Sequence, residues 1–280
     1  MAKGMSLHVG LNSVDPKHYQ GWSGHLTACE ADANDMAELA VSQSFTAKKL
    51  LTKKATRAAV LAGIAAAAKK LKAGDIFFIT YSGHGGQLPD LKHEEPDDLD
   101  ETWCLFDGEV VDDELFAAWG KFAAGVRILV LSDSCHSGSV TRDAMLDVMR
   151  PATVGGPVYR AMPTPVALRV YQKHKKFYDK ILKDAKLAKA KANIKASVLL
   201  ISGCQDNQLS QDGAFNGLFT GTLKKVWNGG IFNGSYVMFH RSIRSRMPPD
   251  QTPNRYMTGA SNAAFLAQQP FSVNPKSKTK

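Results

Sequence analysis

Two short segments of this 280-residue chain carry the residue types of nucleophilic catalysis: Tyr81-Ser82-Gly83-His84-Gly85-Gly86 and Asp133-Ser134-Cys135-His136-Ser137-Gly138. A thiol attacks as its thiolate, and an ordinary cysteine is mostly protonated at neutral pH, so a cysteine nucleophile needs an imidazole beside it. Cys135 and His84 are such a pair if the fold joins them. One cysteine alone is more often a small buried hydrophobe. Cys135, however, stands past an apolar run among serine, histidine and glycine, which is poor core sequence, and His84 stands between two glycines. Asp133 adds a charge argument. Two residues before Cys135, it falls on the same side of a strand end as the nucleophile. A carboxylate there selects Arg or Lys and rejects Asp, because one buried charge left unpaired costs ~3–5 kcal/mol. The plainer role for Asp133 is to cap a helix after Cys135.

Both motifs must be held by elements that end beside one another. Candidate strands are Leu7–Leu11, Lys48–Leu51, Asp75–Tyr81 and Val126–Ser132, with helical patterns over Leu26–Ser42 and Arg57–Leu71 and a helix starting at Asp112-Asp113-Glu114. Strands alternating with helices predict an α/β fold, and ligands in such folds bind outside the carboxyl ends of the strands, where both motifs lie. Residues 150–165 hold four prolines and two glycines and read as a flexible connection. Arg169–Lys195 then shows apolar residues at steps of three and four (Val170, His174, Phe177, Ile181, Ala185, Ala188, Ala192), which predicts a helix. Ser197–Ser202 reads as a buried strand, Gly217–Trp227 and Ser235–Met247 as helices, and Gln251–Thr258 as a last strand or edge.

The net charge of +9 raises nucleic acid or anionic membrane as partners. Its distribution argues otherwise. Arg169–Lys195 holds ten bases and two acids, and the tail adds Lys276, Lys278 and Lys280, so the remainder is slightly acidic. Aromatic residues within the basic stretch are few and no recognition motif accompanies it, which disfavours nucleic acid as a partner. The four cysteines (Cys29, Cys104, Cys135, Cys204) form no C-x-x-C pair, which points to free thiols. No apolar stretch approaches the ~20 residues of a membrane span, and Met1–Asn12 lacks the features of a signal peptide. A cytoplasmic location is the expectation.

The ordered pair of motifs, with His84 and Cys135 51 residues apart, resembles the caspase-like cysteine peptidases. The animal caspase signature Gln-Ala-Cys-x-Gly is absent. Asp-Ser-Cys-His-Ser-Gly, Tyr-Ser-Gly-His-Gly-Gly-Gln, Cys29-Glu30-Ala31-Asp32-Ala33, Asp100-Glu101 with Val111-Asp112-Asp113-Glu114-Leu115, and Gly203-Cys204-Gln205-Asp206-Asn207-Gln208 instead resemble the metacaspases and their prokaryotic relatives, the orthocaspases, from about Leu7 to about Met257. The resemblance implies a caspase-like three-layer sandwich, with a central, mostly parallel six-stranded sheet and helices on both faces. It implies a cysteine endopeptidase cleaving after Arg or Lys, with Cys135 as nucleophile, His84 as proton carrier and the backbone N–H groups of Gly85 and Cys135 as the oxyanion hole. Its basic-residue pocket matches Asp32 and Asp133, with Cys29 and Ser82 alongside. The chemistry requires no cofactor.

Eleven acids and no base lie between Glu94 and Glu114, and a divalent cation would relieve their repulsion. The resemblance places a calcium site on Asp100, Asp112 and Asp113, with calcium as an activator. The expected organisation is one catalytic domain over residues 1–268 with a basic tail over 269–280. Within it, residues 1–140 carry the histidine and cysteine, 141–195 form a flexible and basic helical insert, and 196–268 complete the domain. Cleavage in the insert, by the enzyme itself or by an upstream protease, would free the groove, and Arg142, Arg150, Arg160 and Arg169 are the candidate points. The partners on this reading are protein or peptide substrates with Arg or Lys at the cut. The competing reading is a catalytically silent caspase-like scaffold, or a nucleic-acid-binding protein using the lysine-rich helix.

Overall fold

The computed structural model describes residues 1–93, 98–135, 158–205 and 208–274. Six strands form the main sheet: β1 (Gly4–Gly10), β2 (Phe45–Leu51), β3 (Ile76–Ser82), β7 (Arg127–Asp133), β8 (Ser197–Ser202) and β9 (Asn254–Gly259), in the order β2-β1-β3-β7-β8-β9. All pairs are parallel except β8 with β9. Strands β3 and β7 are buried along their whole length, as continuous apolar runs in a parallel sheet should be.

Alternation along these strands feeds two cores. Phe77, Ile79, Ile128 and Val130 face α2 (Arg57–Lys70), α3 (Asp112–Trp119) and α4 (Thr164–Lys173). Ile76, Phe78, Leu129 and Leu131 face α1 (Cys29–Ser42), α7 (Leu218–Trp227) and α8 (Tyr236–Arg244). Each such side chain, fully buried, contributes roughly 1.5–3 kcal/mol, so both faces are strongly fixed. A further short helix, α9 (Ala263–Ala267), starts at Asn262, whose side chain accepts from the Phe265 N–H.

Register sets the site. Gly10 pairs with Ser82, Ser82 with Asp133, and Ser132 with Ser202, so four parallel strands end along one line. His84 and Cys135 each lie two residues beyond such an end.

Three features depart from the sequence-based expectation. A second, antiparallel sheet of β4 (Gly85–Pro89), β5 (Leu99–Leu105) and β6 (Gly108–Val111) stands where only loops and an acidic run were expected. The basic stretch is not one helix. It is divided among α4, α5 (Lys175–Leu182) and α6 (Ala185–Ala188), the last of which starts where Asp184 accepts from the Lys186 N–H and caps it. Tyr178 rather than Phe177 points into the core. Finally, residues 158–163 are not a loose connection, since they run through the site described next. Among the described residues, no helix is long and apolar enough to cross a membrane.

Candidate active site

His84 is oriented by its neighbours on every side. The Tyr81 hydroxyl at the end of β3 donates to the His84 carbonyl at 2.6 Å and to that of Cys104 at 3.1 Å, and the Cys104 N–H also donates to His84 O. The Tyr81 ring stacks on Trp103, centroids 4.6 Å apart. The imidazole Nε2 bonds the Gly24 carbonyl at 3.0 Å. A carbonyl only accepts, so the proton is on Nε2 and Nδ1 carries the lone pair. Nδ1 is buried without a hydrogen-bond partner, and the ring lies against the Ala161 backbone. Burial, the largest influence, lowers the His84 pKa to about 4, so the ring is neutral at pH 7. Gly24 sits at φ +52°, and a Cβ there would come within 2.9 Å of the imidazole and 2.8 Å of Trp22. Glycine is therefore required twice over.

Cys135 follows β7 and is buried. Its Sγ accepts from the Ser210 N–H and donates to the Ser210 carbonyl at 3.3 Å. The backbone N–H groups of Gly85 and Cys135 converge on one oxygen, the carbonyl of Arg160, at 2.9 and 3.1 Å. This convergence brings the two sequence motifs together on a single peptide group.

The Arg160 side chain is fully buried in the expected pocket. Its Nη2 meets Asp32 at 2.7 Å and Asp212 at 2.8 Å, while Nη1 meets Asp133 at 2.9 Å and Ser82 Oγ at 2.8 Å. Each carboxylate is itself held. Ser82, Asn216 and the Gly217 N–H donate to Asp32, and Ser210 Oγ, Thr220 N and Thr220 Oγ1 donate to Asp133. Asp212 accepts from Thr27 N and Oγ1. Burial raises Asp32 to about 6 against the pull of Arg160, leaving it ionised at pH 7. Asp212 is held below the ordinary range: its burial acts the other way, but Arg160 and Thr27 outweigh it. Although burial disfavours the guanidinium, the surrounding acids keep its pKa well above normal. Gly217 lets the guanidinium lie against the backbone, since a Cβ there would be 2.6 Å from it. Cys29 lines the same region as a neutral thiol, pushed up to about 12 by burial.

The segment on either side of Arg160 is extended. Val158 O accepts from Asp212 N, Arg160 N donates to Ser210 O, and Met162 N donates to Gly85 O at 2.7 Å. Tyr159 bridges antiparallel to Gln211, and Ala161 parallel to Gly85.

Of the expected residues, then, His84, Gly85, Cys135, Asp32, Asp133 and Ser82 gather around one arginine, with Cys29 beside them. Of the four cleavage candidates, Arg160 is that arginine, Arg169 is exposed on α4, and Arg142 and Arg150 lie outside the described residues. Asp212, Gly24, Ser210 and Gly217 were not anticipated. At the acidic edge, Asp112 is raised well above normal by burial and then by Glu101, Asp113 and Asp100. Lys92 already pairs with Asp113. Among the described residues, no three His, Cys, Asp or Glu side chains are arranged to hold a metal ion.

Residues 14–270 match the family model of the caspase domain. The chain is 29% identical over 278 residues to metacaspase-1 of Coccidioides immitis (strain RS), covering 88% of this chain and 59% of that protein. It is 30% identical over 198 residues to metacaspase-1 of Schizosaccharomyces pombe (strain 972 / ATCC 24843), covering 61% of this chain and 46% of that protein. The chain thus spans less than two thirds of either relative's length. Among solved structures, protein GSU0716 from Geobacter sulfurreducens superposes with a TM-score of 0.88 at 58% identity, over 97% of this chain and 99% of that one. Caspase-1 from Spodoptera frugiperda superposes with a TM-score of 0.53 at 12% identity, over 92% and 86%, a likeness of fold alone.

Proposed function

This chain belongs to the caspase-domain family of cysteine-type endopeptidases, and on that premise we propose that it cuts peptide bonds after basic residues, arginine foremost, through Cys135 and His84. The observation that carries this reading is the seating of its own Arg160. A guanidinium fills a pocket of three carboxylates while the carbonyl of the same residue accepts from two backbone N–H groups. Those donors sit where charge develops during attack, and each such donor is worth ~2.7–4 kcal/mol to a transition state.

The thiol turns from Ser210 to the carbonyl carbon, and its proton passes to Nδ1 of the neutral His84. The tetrahedral oxyanion rests on Gly85 N and Cys135 N. Collapse breaks the C–N bond as His84 hands the proton to the leaving amine; His84 then takes a proton from the water that attacks the thioester and returns it to the sulfur as the C–S bond breaks. The Arg160–Ala161 bond is the natural first substrate, and while it is seated it blocks others. All four cysteines are free thiols, which supports a reducing, cytoplasmic compartment.

The test is a fluorogenic peptide series with Arg, Lys or Asp at the cut, run on the wild type, on Arg160→Ala with its pocket vacated, and on Cys135→Ala. Turnover of Arg peptides that rises in Arg160→Ala and vanishes in Cys135→Ala is expected. Turnover of the Asp peptide alone would overturn the pocket assignment, and none by either Cys135-containing protein, with or without calcium, would favour the scaffold reading.

A further inference from the structure

We infer that Cys135 also makes the bond that it breaks: the Ala161 amine released by cleavage stays in the site and attacks the Arg160 thioester, so that this chain is a substrate for its own ligation. The inference rests on the proposed self-cleavage. What carries it is the way the segment after the cut is held. Ala161 is almost fully buried and Met162 entirely so, with Met162 part of the main core that also holds Leu88, Val166, Ala167 and Val170. Met162 N is bonded to Gly85 O, and Pro163 leads directly into α4, whose buried face packs against β4. Farther along, Tyr178 of α5 is buried, its hydroxyl bonded to His18 and to the Glu109 N–H. Breaking the Arg160–Ala161 bond removes none of these contacts. An ordinary leaving peptide diffuses away, but this one is part of the core.

The arginine side of the cut is retained as well, by three carboxylates and by backbone bonds at Val158 and Arg160. A new amine therefore stands beside a thioester, next to the histidine that protonated it. Effective molarities of well-placed groups reach ~10⁵–10⁸ M, enough for the amine to compete with water. In the return step the Ala161 nitrogen bonds to the Arg160 carbonyl carbon, the C–S bond breaks, and the amine proton travels through His84 to the departing sulfur. Hydrolysis is the slower exit, and it too reverses: the Arg160 carboxylate and Cys135 reform the thioester with loss of water.

The experiment uses the full chain. Protein nicked at Arg160–Ala161, its two pieces still associated, is returned to neutral buffer in oxygen-18 water and followed by intact-mass and peptide mass spectrometry. In parallel, intact protein is incubated with hydroxylamine, which intercepts a thioester as the Arg160 hydroxamate. The expected results are reappearance of the full-length chain, with oxygen-18 entering the Arg160 carbonyl as rounds of hydrolysis by labelled water and religation proceed, and a several-fold rise in nicking with hydroxamate as the new end. In Met162→Ala, whose anchoring is weakened, nicking should run to completion. A nicked chain that never rejoins, with hydroxylamine changing neither rate nor end group, overturns the inference, as does a chain that is never nicked and yields no hydroxamate. Turnover of Arg peptides beside either result sinks the ligation alone. Failure on those peptides as well sinks the proposed function with it.

Discussion

A guanidinium offers two terminal nitrogens, and in this pocket Asp32 and Asp212 share one while Asp133 and Ser82 take the other. A lysine ammonium is a single point and cannot engage both ends at once. On the proposed reading, Asp212, the second carboxylate on the shared nitrogen, adds to the preference for arginine over lysine. Asp212→Asn should lower kcat/KM for Arg peptides by ten- to a hundredfold, in line with the ~1.5–3 kcal/mol of a hydrogen bond to a charged group, and lower it less for Lys peptides; an equal fall for both would refute this role. Gly24 sets the place of His84. In Gly24→Ala, the new methyl would meet the imidazole and force both a φ of +52° on an alanine and a shift of His84. A fall of at least about tenfold in kcat with KM nearly unchanged is expected, since a misplaced group loses rate steeply. His84 also predicts two pH profiles. With Arg160 seated, the ring is held neutral down to about 4 by burial. Once the segment is displaced and water enters, its pKa returns toward the ordinary 6.5. The acid limb of self-cleavage should therefore lie below that of peptide cleavage by Arg160→Ala, and coincident limbs would count against the burial argument.

At the level of elements, the small antiparallel sheet matters because it starts at Gly85, immediately after His84. It is joined to the main sheet by the Tyr81 hydroxyl on two carbonyls, by the Tyr81–Trp103 stack, and by Trp103 Nε1 donating to Ser132 Oγ at 3.1 Å. Tyr81→Phe keeps the ring and deletes the hydroxyl, leaving the Cys104 carbonyl short of a donor. Chemical denaturation should show a loss of about 1–3 kcal/mol, the cost of an unsatisfied buried group, and peptide turnover should fall with it. Unchanged stability would mean that the joint rests on stacking alone. This sheet also marks where sequence reading stops. Strands β3, β7 and β8 were legible because parallel strands buried on both faces are written as unbroken apolar runs. The run of β5, Leu-Asp-Glu-Thr-Trp-Cys-Leu, mixes acids with aromatics, and its acids read more naturally as a repelling loop. The basic helices were legible as helical but not in phase. Their apolar face turns on Tyr178, and its place in the core is decided by His18 and Glu109, more than sixty residues away in the chain.

For the molecule as a whole, His84 and Cys135 were legible as a candidate pair because each motif follows a strand that the register then aligns, Ser82 against Asp133. Arg160 could be named as a candidate cleavage point but not seated, because its proline- and glycine-rich surroundings look like a linker and are fixed only by long-range partners: the three-carboxylate pocket and backbone bonds to Gly85, Ser210 and Asp212. Asp212 and Gly24 carry no local signal at all, since their roles exist only once distant loops meet. The same long-range assembly buries ionisable groups of opposite sense, and stability against pH separates them. His8, His18 and His84 are lowered to about 3, 4 and 4, each chiefly by burial. What they contribute by staying neutral is complete above pH 6.5 and is lost as pH falls toward those values. Glu109 of β6 behaves oppositely. It is fully buried among Tyr19, Tyr178 and Cys104, accepts from Thr102 Oγ1 at 2.6 Å, and has no partner at Oε1. Burial raises it to about 7, with Thr102 and Arg57 pulling the other way. The folded chain therefore holds a proton that the unfolded chain releases near 4.5, so this contribution is present at low pH and is lost as pH rises through 7. Glu109→Gln carries no charge at any pH and still accepts from Thr102, while the histidines are common to both proteins and cancel. Its stability relative to the wild type should therefore rise by about 2–3 kcal/mol between pH 5 and pH 8 at ~1.4 kcal/mol per pKa unit. Parallel denaturation curves across that range would show that Glu109 is ionised in the folded protein, with a cation or water satisfying Oε1.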